Sequence, residues 1–107
     1  MRTAVHGLIG PDHPALAGHF PGNPVVPGVV LLTELLRAVE ERLHWASGAV
    51  MVTSVKFIQL LRPGEPFTLL LDRLSEGEVS FAVMRENVRI AAGTLRRDGQ
   101  VIGQGRP

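Results

Sequence analysis

The 107-residue sequence has no cysteine, which excludes disulfide scaffolds, cysteine nucleophiles and zinc knuckles. It also lacks a charge excess: eleven basic residues face ten acidic ones, for a net charge of +1 without blocks of either sign. A dedicated nucleic-acid binder would carry a concentrated basic stripe, so no nucleic-acid partner is expected. Long apolar runs are missing too. The longest, Val25 to Leu32, is interrupted by Pro27 and Gly28 and is too short to cross a membrane. Only Arg2 precedes a short apolar stretch at the N-terminus, which does not look like a signal peptide. A small cytoplasmic domain with no membrane attachment is expected.

What is present fits one domain over 1–107, since a second core would leave each half too small to stabilise itself. Hydrophobic residues make up 45% of the chain. A chain of this size buries only roughly 65% of its unfolded surface, so a second subunit would add stability. The texture changes along the sequence. Arg2 to Ile9 suits a short strand ahead of Gly10-Pro11, and the Gly-, Pro- and His-rich stretch up to Gly28 is expected to be an ordered loop. Leu32, Leu35, Leu36, Val39 and Leu43 then recur at helical spacing, predicting a helix from Gly28 to Trp45 that stops near Gly48. Pro27 suits its start, where a missing N–H costs nothing.

From Ala49 the period becomes two. Strands are predicted from Met51 to Gln59, Phe67 to Leu74, Val79 to Arg85 and Val88 to Arg96, with turns at Arg62-Pro63-Gly64, Ser75-Glu76-Gly77 and Glu86-Asn87. Asp98-Gly99 is a two-residue hairpin signal that would fold Val101 and Ile102 back. One long helix followed by antiparallel strands is an α+β pattern with the helix on one sheet face.

The informative segment is Gly18-His19-Phe20-Pro21-Gly22-Asn23-Pro24-Val25-Val26-Pro27-Gly28-Val29. Three prolines and three glycines in twelve residues fix the backbone path into a helix start. Such a path offers the free N–H groups of Gly28 and Val29 at the positive end of the helix dipole. It also offers His19, a base in the neutral range. Together these can polarise a carbonyl and move a proton beside it; a rigid loop with a structural histidine is the plainer alternative.

The run from His13 through Gly18-His19-Phe20-Pro21-Gly22-Asn23-Pro24 to Leu32 resembles the signature of the beta-hydroxyacyl-(acyl carrier protein) dehydratases of fatty acid synthesis. Val55-Lys56-Phe57-Ile58-Gln59-Leu60-Leu61-Arg62-Pro63-Gly64-Glu65 is similar to the strand and turn of the same family. The similarity runs in order over residues 5–97, strongly over about thirty, and leaves 98–107 as a C-terminal extension. It implies a hotdog fold, in which an antiparallel sheet wraps a long helix, and a homodimer or higher homo-oligomer built by joining two sheets. In that arrangement each site is shared between subunits.

By resemblance His19 is the base at C2 of a 3-hydroxyacyl thioester, the Gly28 N–H binds the thioester carbonyl, and the Val25 carbonyl orients the imidazole. The implied substrates are thioesters of acyl carrier protein or coenzyme A, with the carrier protein as partner. No metal or redox cofactor is implied, because the thioester itself acidifies the C2 proton. The family places an acid fourteen residues after the histidine, where this chain has Thr33; Glu34 follows one position later. One residue turns a side chain by about 100° around a helix. Three readings stay open: a dehydratase (a lyase) using Glu34 or a water on Thr33, a hotdog thioesterase, or an acyl-thioester binding module without turnover.

Other polar residues suit plainer roles. His13 beside Asp12 is expected to be structural, and His6 and His44 are isolated histidines at which no metal site is expected. Arg37, Glu40, Glu41 and His44 read as a solvated helix face, and Trp45 as a packing residue. Arg85, Arg89, Arg96 and Arg97 read as a solvated sheet edge, with a carrier-protein or phosphate contact there, or at Arg62, as the alternative. Phe20, Phe57 and Phe67 can line an acyl slot or fill the core.

Overall fold

A computed structural model describes residues 2–14, 25–45 and 49–97. Strand β1 (Arg2–Gly7) precedes helix α1 (Gly28–Leu43), which is followed by β2 (Val50–Phe57), β3 (Phe67–Ser75), β4 (Glu78–Arg85) and β5 (Val88–Arg97). All pairings are antiparallel, in one sheet of order β1-β3-β4-β5-β2. This is the α+β hotdog arrangement that the sequence led us to expect. The Asp98-Gly99 hairpin, the extension 98–107, residue Gly48 and the part of the expected ordered loop from 15 to 24 lie outside the described residues.

Element ends differ from the sequence expectation by one or two residues. The helix closes at Leu43 rather than Trp45 because His44 turns left-handed, with φ of 60°. Trp45 then folds back into the core, where only 1% of its surface is exposed. Arg97 covers the indole, with its guanidinium 5.6 Å from the ring centroid. β1 stops at Gly7 instead of Ile9, and β2 at Phe57 instead of Gln59. Past that point Ile58 and Gln59 still donate their N–H groups to the Ile90 carbonyl, at 2.7 and 3.2 Å.

The period-two pattern of the strands puts one side-chain row of each on the helix. Val5, Leu69, Val83, Ala91 and Phe57 are successive register partners across the whole sheet. This row ends under the first turn of α1. Val30, Leu31, Leu35, Ala38 and Val39 are the helix residues buried against the sheet. Two core clusters result. One joins Val26, Val30 and Leu31 to Ile9, Leu61, Phe67 and Leu69, and the other joins Leu35, Val39 and Trp45 to Leu71, Val79, Phe81 and Leu95.

β1 and β2 form the two sheet edges, and β1 is fastened by Arg2, which grips Asp72 on β3 at 2.9 Å. The Arg2 hydrogen bond and charge hold the Asp72 carboxyl below the usual range, and the pair lifts Arg2 above its own. β2 carries a bulge between Val52 and Ser54. There Gly93 of β5 lies so close that a Cβ would run into the Ser54 carbonyl and sit 2.8 Å from Phe81 Cζ. Backbone cannot yield as a flexible side chain can. Gly93→Ala is therefore expected to destabilise the fold by about 1–3 kcal/mol, measured by denaturant unfolding. An unchanged midpoint would mean the bulge is not packed as described.

Candidate active site

The site is built around the start of α1. Pro27 is the N-cap, in an extended conformation (φ −63°, ψ 148°), and among the described residues no side chain caps the helix. The Pro27 carbonyl accepts from the N–H groups of Val30 at 3.0 Å and Leu31 at 3.4 Å. Gly28 and Val29 thus precede the helical ladder, and their N–H groups are the orphan donors of the first turn. No acidic residue in that turn offsets the positive end of the dipole. The arrangement can receive a carbonyl oxygen on which negative charge develops.

Three contacts hold this helix start in place. The N–H of buried Val26 donates to the Leu61 carbonyl at 2.7 Å, stitching the chain ahead of the helix to the β2–β3 loop. That loop is tied in turn to the end of β1 by Gly64 N–H on the Ile9 carbonyl, also at 2.7 Å. The Phe57 ring lies directly against the first helical residue: a Cβ on Gly28 would stand 2.7 Å from its Cζ. A side chain at this position would have to push the Phe57 ring aside. Val29 and Phe57 remain open, at 68% and 46% exposure.

Among the residues singled out from the sequence, Val25, Gly28 and Val29 come together at this helix start. His19 and Phe20 lie outside the described residues. Thr33 is exposed, and its hydroxyl donates to the Val29 carbonyl at 2.9 Å. The bond spends its proton and leaves the oxygen as an acceptor only. Glu34 lies about 100° around the helix from Thr33. Its side chain is 25% exposed, with the Arg37 guanidinium 3.5 Å away. The two candidates for the acid position therefore face different sides.

Arg85 is not displayed toward solvent as a carrier or phosphate contact would require. Its Nη1 donates to the Leu60 carbonyl at 2.8 Å and reaches Glu65 Oε1 at 3.3 Å. Arg96 and Arg97 are turned to Met51 and Trp45, so the four arginines do not form one patch. Arg37 pairs with Glu34 one turn back, rather than with Glu40 or Glu41. His13 closes a turn by donating its N–H to the Gly10 carbonyl at 3.1 Å. His6 meets the Thr68 hydroxyl at 3.1 Å through Nδ1. Among the described residues no group of three or more His, Asp or Glu side chains is placed to hold a metal ion. Nor is any described helix long and apolar enough to cross a membrane.

The sequence reading missed the clamp of Arg85 and Glu65 on the β2–β3 loop. Glu65 Oε1 also accepts the Arg62 N–H at 2.7 Å, a turn-closing contact that Arg62-Pro63-Gly64-Glu65 signals in outline. Its tie to Arg85, twenty residues on, has no local signal.

One antiparallel sheet wrapped on one long helix defines a hotdog protein. The family described as ApeI-like (ApeI dehydratase) matches residues 2–94, and the chain belongs to that family. It is 27% identical over 104 residues to the 3-hydroxyacyl-[acyl-carrier-protein] dehydratase FabZ of Thermomicrobium roseum. That alignment covers 88% of this chain and 62% of the relative, so the chain spans less than two thirds of that enzyme's length. The FabZ of Ligilactobacillus salivarius is 31% identical over 78% of this chain and 59% of its own.

Among solved structures, the dehydratase heterocomplex ApeI:P of Xenorhabdus doucetiae superposes with a TM-score of 0.73 at 18% identity, over 89% of this chain and 85% of that one. The 1,4-dihydroxy-2-naphthoyl-CoA thioesterase Slr0204 of Synechocystis gives 0.62 at 13% identity, over 89% and 79%. At these identities the structures share the fold.

The contact at the helix start generates a direct expectation. Gly28→Ala sets its new methyl against the Phe57 ring, which is half exposed and can turn aside, and lowers stability by about 1 kcal/mol, the low end of the overpacking range. Phe57→Ala in the same chain removes the obstacle. In chemical unfolding, the cost of Gly28→Ala should be smaller in the Phe57→Ala background than in the wild type; equal costs would contradict the contact.

Proposed function

We propose that the protein interconverts 3-hydroxyacyl and trans-2-enoyl thioesters by loss or addition of water, on acyl carrier protein or coenzyme A. The observation that carries this reading is the start of α1, capped by no described side chain and preceded in sequence by Gly18-His19-Phe20-Pro21, in a chain of the ApeI-like dehydratase family. In the dehydration direction the thioester oxygen accepts the Gly28 N–H. Charge withdrawn into that oxygen acidifies C2, and His19 takes the C2 proton. The bond from C3 to the hydroxyl breaks, and the hydroxyl leaves with a proton as water. The Val25 carbonyl orients the His19 ring.

The proton for the leaving hydroxyl is the weak point of the chain. A positioned acid is worth about 10²–10⁴-fold in rate, and Thr33 cannot supply one. Glu34, or a water held on Thr33, is the internal source. The start of α1 faces a partner in a dimer formed by joining β2 edges, since β2 pairs on one side only. Exposed Met51, Phe57, Ile58, Leu60 and Val29 support burial of this flank by a second subunit.

Two further readings have a specific support. The similar ApeI:P structure is a dehydratase heterocomplex. Thr33 on an open helix face favours a mixed dimer in which a different hotdog chain brings the carboxylic acid. Thioesterase neighbours such as Slr0204 share the fold and support hydrolysis, for which a polarised carbonyl and a water suffice.

One assay separates these. With a crotonyl thioester, the protein is expected to bleach the enoyl absorbance, and His19→Ala to lose at least 100-fold of that rate, in line with the ~10²–10⁴-fold worth of a general base. Thr33→Glu is expected to raise the rate, because it restores an acid on the open face. Equal rates for wild type and His19→Ala would overturn the dehydratase reading. Thiol release without hydration would assign a thioesterase, and turnover only after adding a second hotdog chain would assign the mixed dimer.

A further inference from the structure

We infer that Arg85 is a positioning residue for the thioester carbonyl, acting through the β2–β3 loop on the N–H of Gly28. The inference rests on the proposed role of Gly28 and adds a residue that the reaction itself never touches.

Every link is a short contact. Arg85, near the end of β4, donates from Nη1 to the Leu60 carbonyl at 2.8 Å and to Glu65 Oε1 at 3.3 Å. Glu65 closes the other side of the loop by accepting the Arg62 N–H at 2.7 Å. Between these two anchors sits Leu61, 1% exposed, whose carbonyl accepts the Val26 N–H at 2.7 Å. Val26 is two residues ahead of Gly28. One cation thus holds the neighbouring carbonyl of the same loop that fixes the backbone running into the helix.

The side chains of Arg85 and Glu65 are only 27% and 35% exposed. The bond from Arg85 to the Leu60 carbonyl, at 2.8 Å, has the length of a strong charge-assisted hydrogen bond, and Glu65 at 3.3 Å adds a looser ion pair beside it. A neutral replacement leaves the Leu60 carbonyl and the Glu65 carboxylate to water. A cleft of about 480 Å³ that includes Arg85, Glu65 and His6 lets that water in. The loop then relaxes, and the Gly28 N–H loses its aim. Binding of the acyl chain does not depend on that aim, whereas stabilising the developing negative charge does.

The experiment is infrared difference spectroscopy of butyryl-coenzyme A labelled with ¹³C at the carbonyl, a thioester with no hydroxyl to lose and no double bond to hydrate. In the wild type the carbonyl stretch should move to lower frequency on binding. Arg85→Ala should show a clearly smaller shift at saturation, and Arg85→Lys, which can still donate to the Leu60 carbonyl, an intermediate one. In crotonyl hydration Arg85→Ala should lower kcat about 10- to 100-fold, the cost of a misplacement near 1 Å, with KM within about twofold. Glu65→Gln, which leaves the Leu60 bond intact, should shift the stretch slightly less than wild type, and replaces Arg85→Ala if that variant does not fold.

A full wild-type shift in Arg85→Ala, or in Glu65→Gln where it replaces it, overturns the role of Arg85 and leaves that of Gly28 standing. Absence of any shift in the wild type overturns the role of Gly28, and the inference with it. Equal loss in Arg85→Ala and Arg85→Lys would also count against the clamp, since a general structural defect is not rescued by a retained donor.

Discussion

The site depends on one hydrogen bond, from the N–H of Val26 to the carbonyl of Leu61 at 2.7 Å. An uncapped helix start is useful only if it is held still, because a donor that wanders costs reorganisation at the moment charge develops. Proline cannot provide the hold alone: Pro27 fixes one dihedral and removes one donor. The Val26 bond supplies a second point, and the Phe57 ring against Gly28 a third. All three points belong to the flank where the sheet ends under the first turn of α1, so the sheet register determines where the helix start sits.

That flank also carries much of the exposed apolar surface. Val29, Phe57, Ile58 and Leu60 are each 45% exposed or more, on a domain that buries no charged side chain among its described residues. In a small protein such surface is a cost in water and a gain in a dimer. The free edge of β2 runs beside it. A second subunit there would close the site from the side that this chain leaves open, which joins the oligomer and the chemistry in one requirement.

Much of this was legible in the sequence for physical reasons. Leu35, Val39 and their helical-period neighbours define a buried stripe whatever the fold, and the alternation in β3 and β4 does the same for a sheet face. The Pro- and Gly-rich run read as an ordered loop falls, from 15 to 24, outside the described residues. The helix stop did not show, because the left-handed turn falls on His44 rather than on the glycine at 48. The clamp of Arg85 on Glu65 and Leu60 did not show either. It joins residues about twenty or more apart through a carbonyl that any side chain could carry. Thr33 was visible as a departure from the dehydratase pattern, but the use of its hydroxyl on the Val29 carbonyl depends on helix geometry. Back-bonding of this kind is open to any helical threonine.

The central claim is that the N–H of Gly28, held by the Val26–Leu61 bond, receives the thioester oxygen. It is tested most directly by ¹⁵N-resolved NMR of the protein titrated with butyryl-coenzyme A, which has neither a hydroxyl to lose nor a double bond to hydrate. The account predicts that the Gly28 amide proton moves downfield by the largest margin in the chain, with Val29 next and the amide of Leu35, deep in the helix, unmoved. Saturation with the Gly28 and Val29 amides unchanged would contradict it.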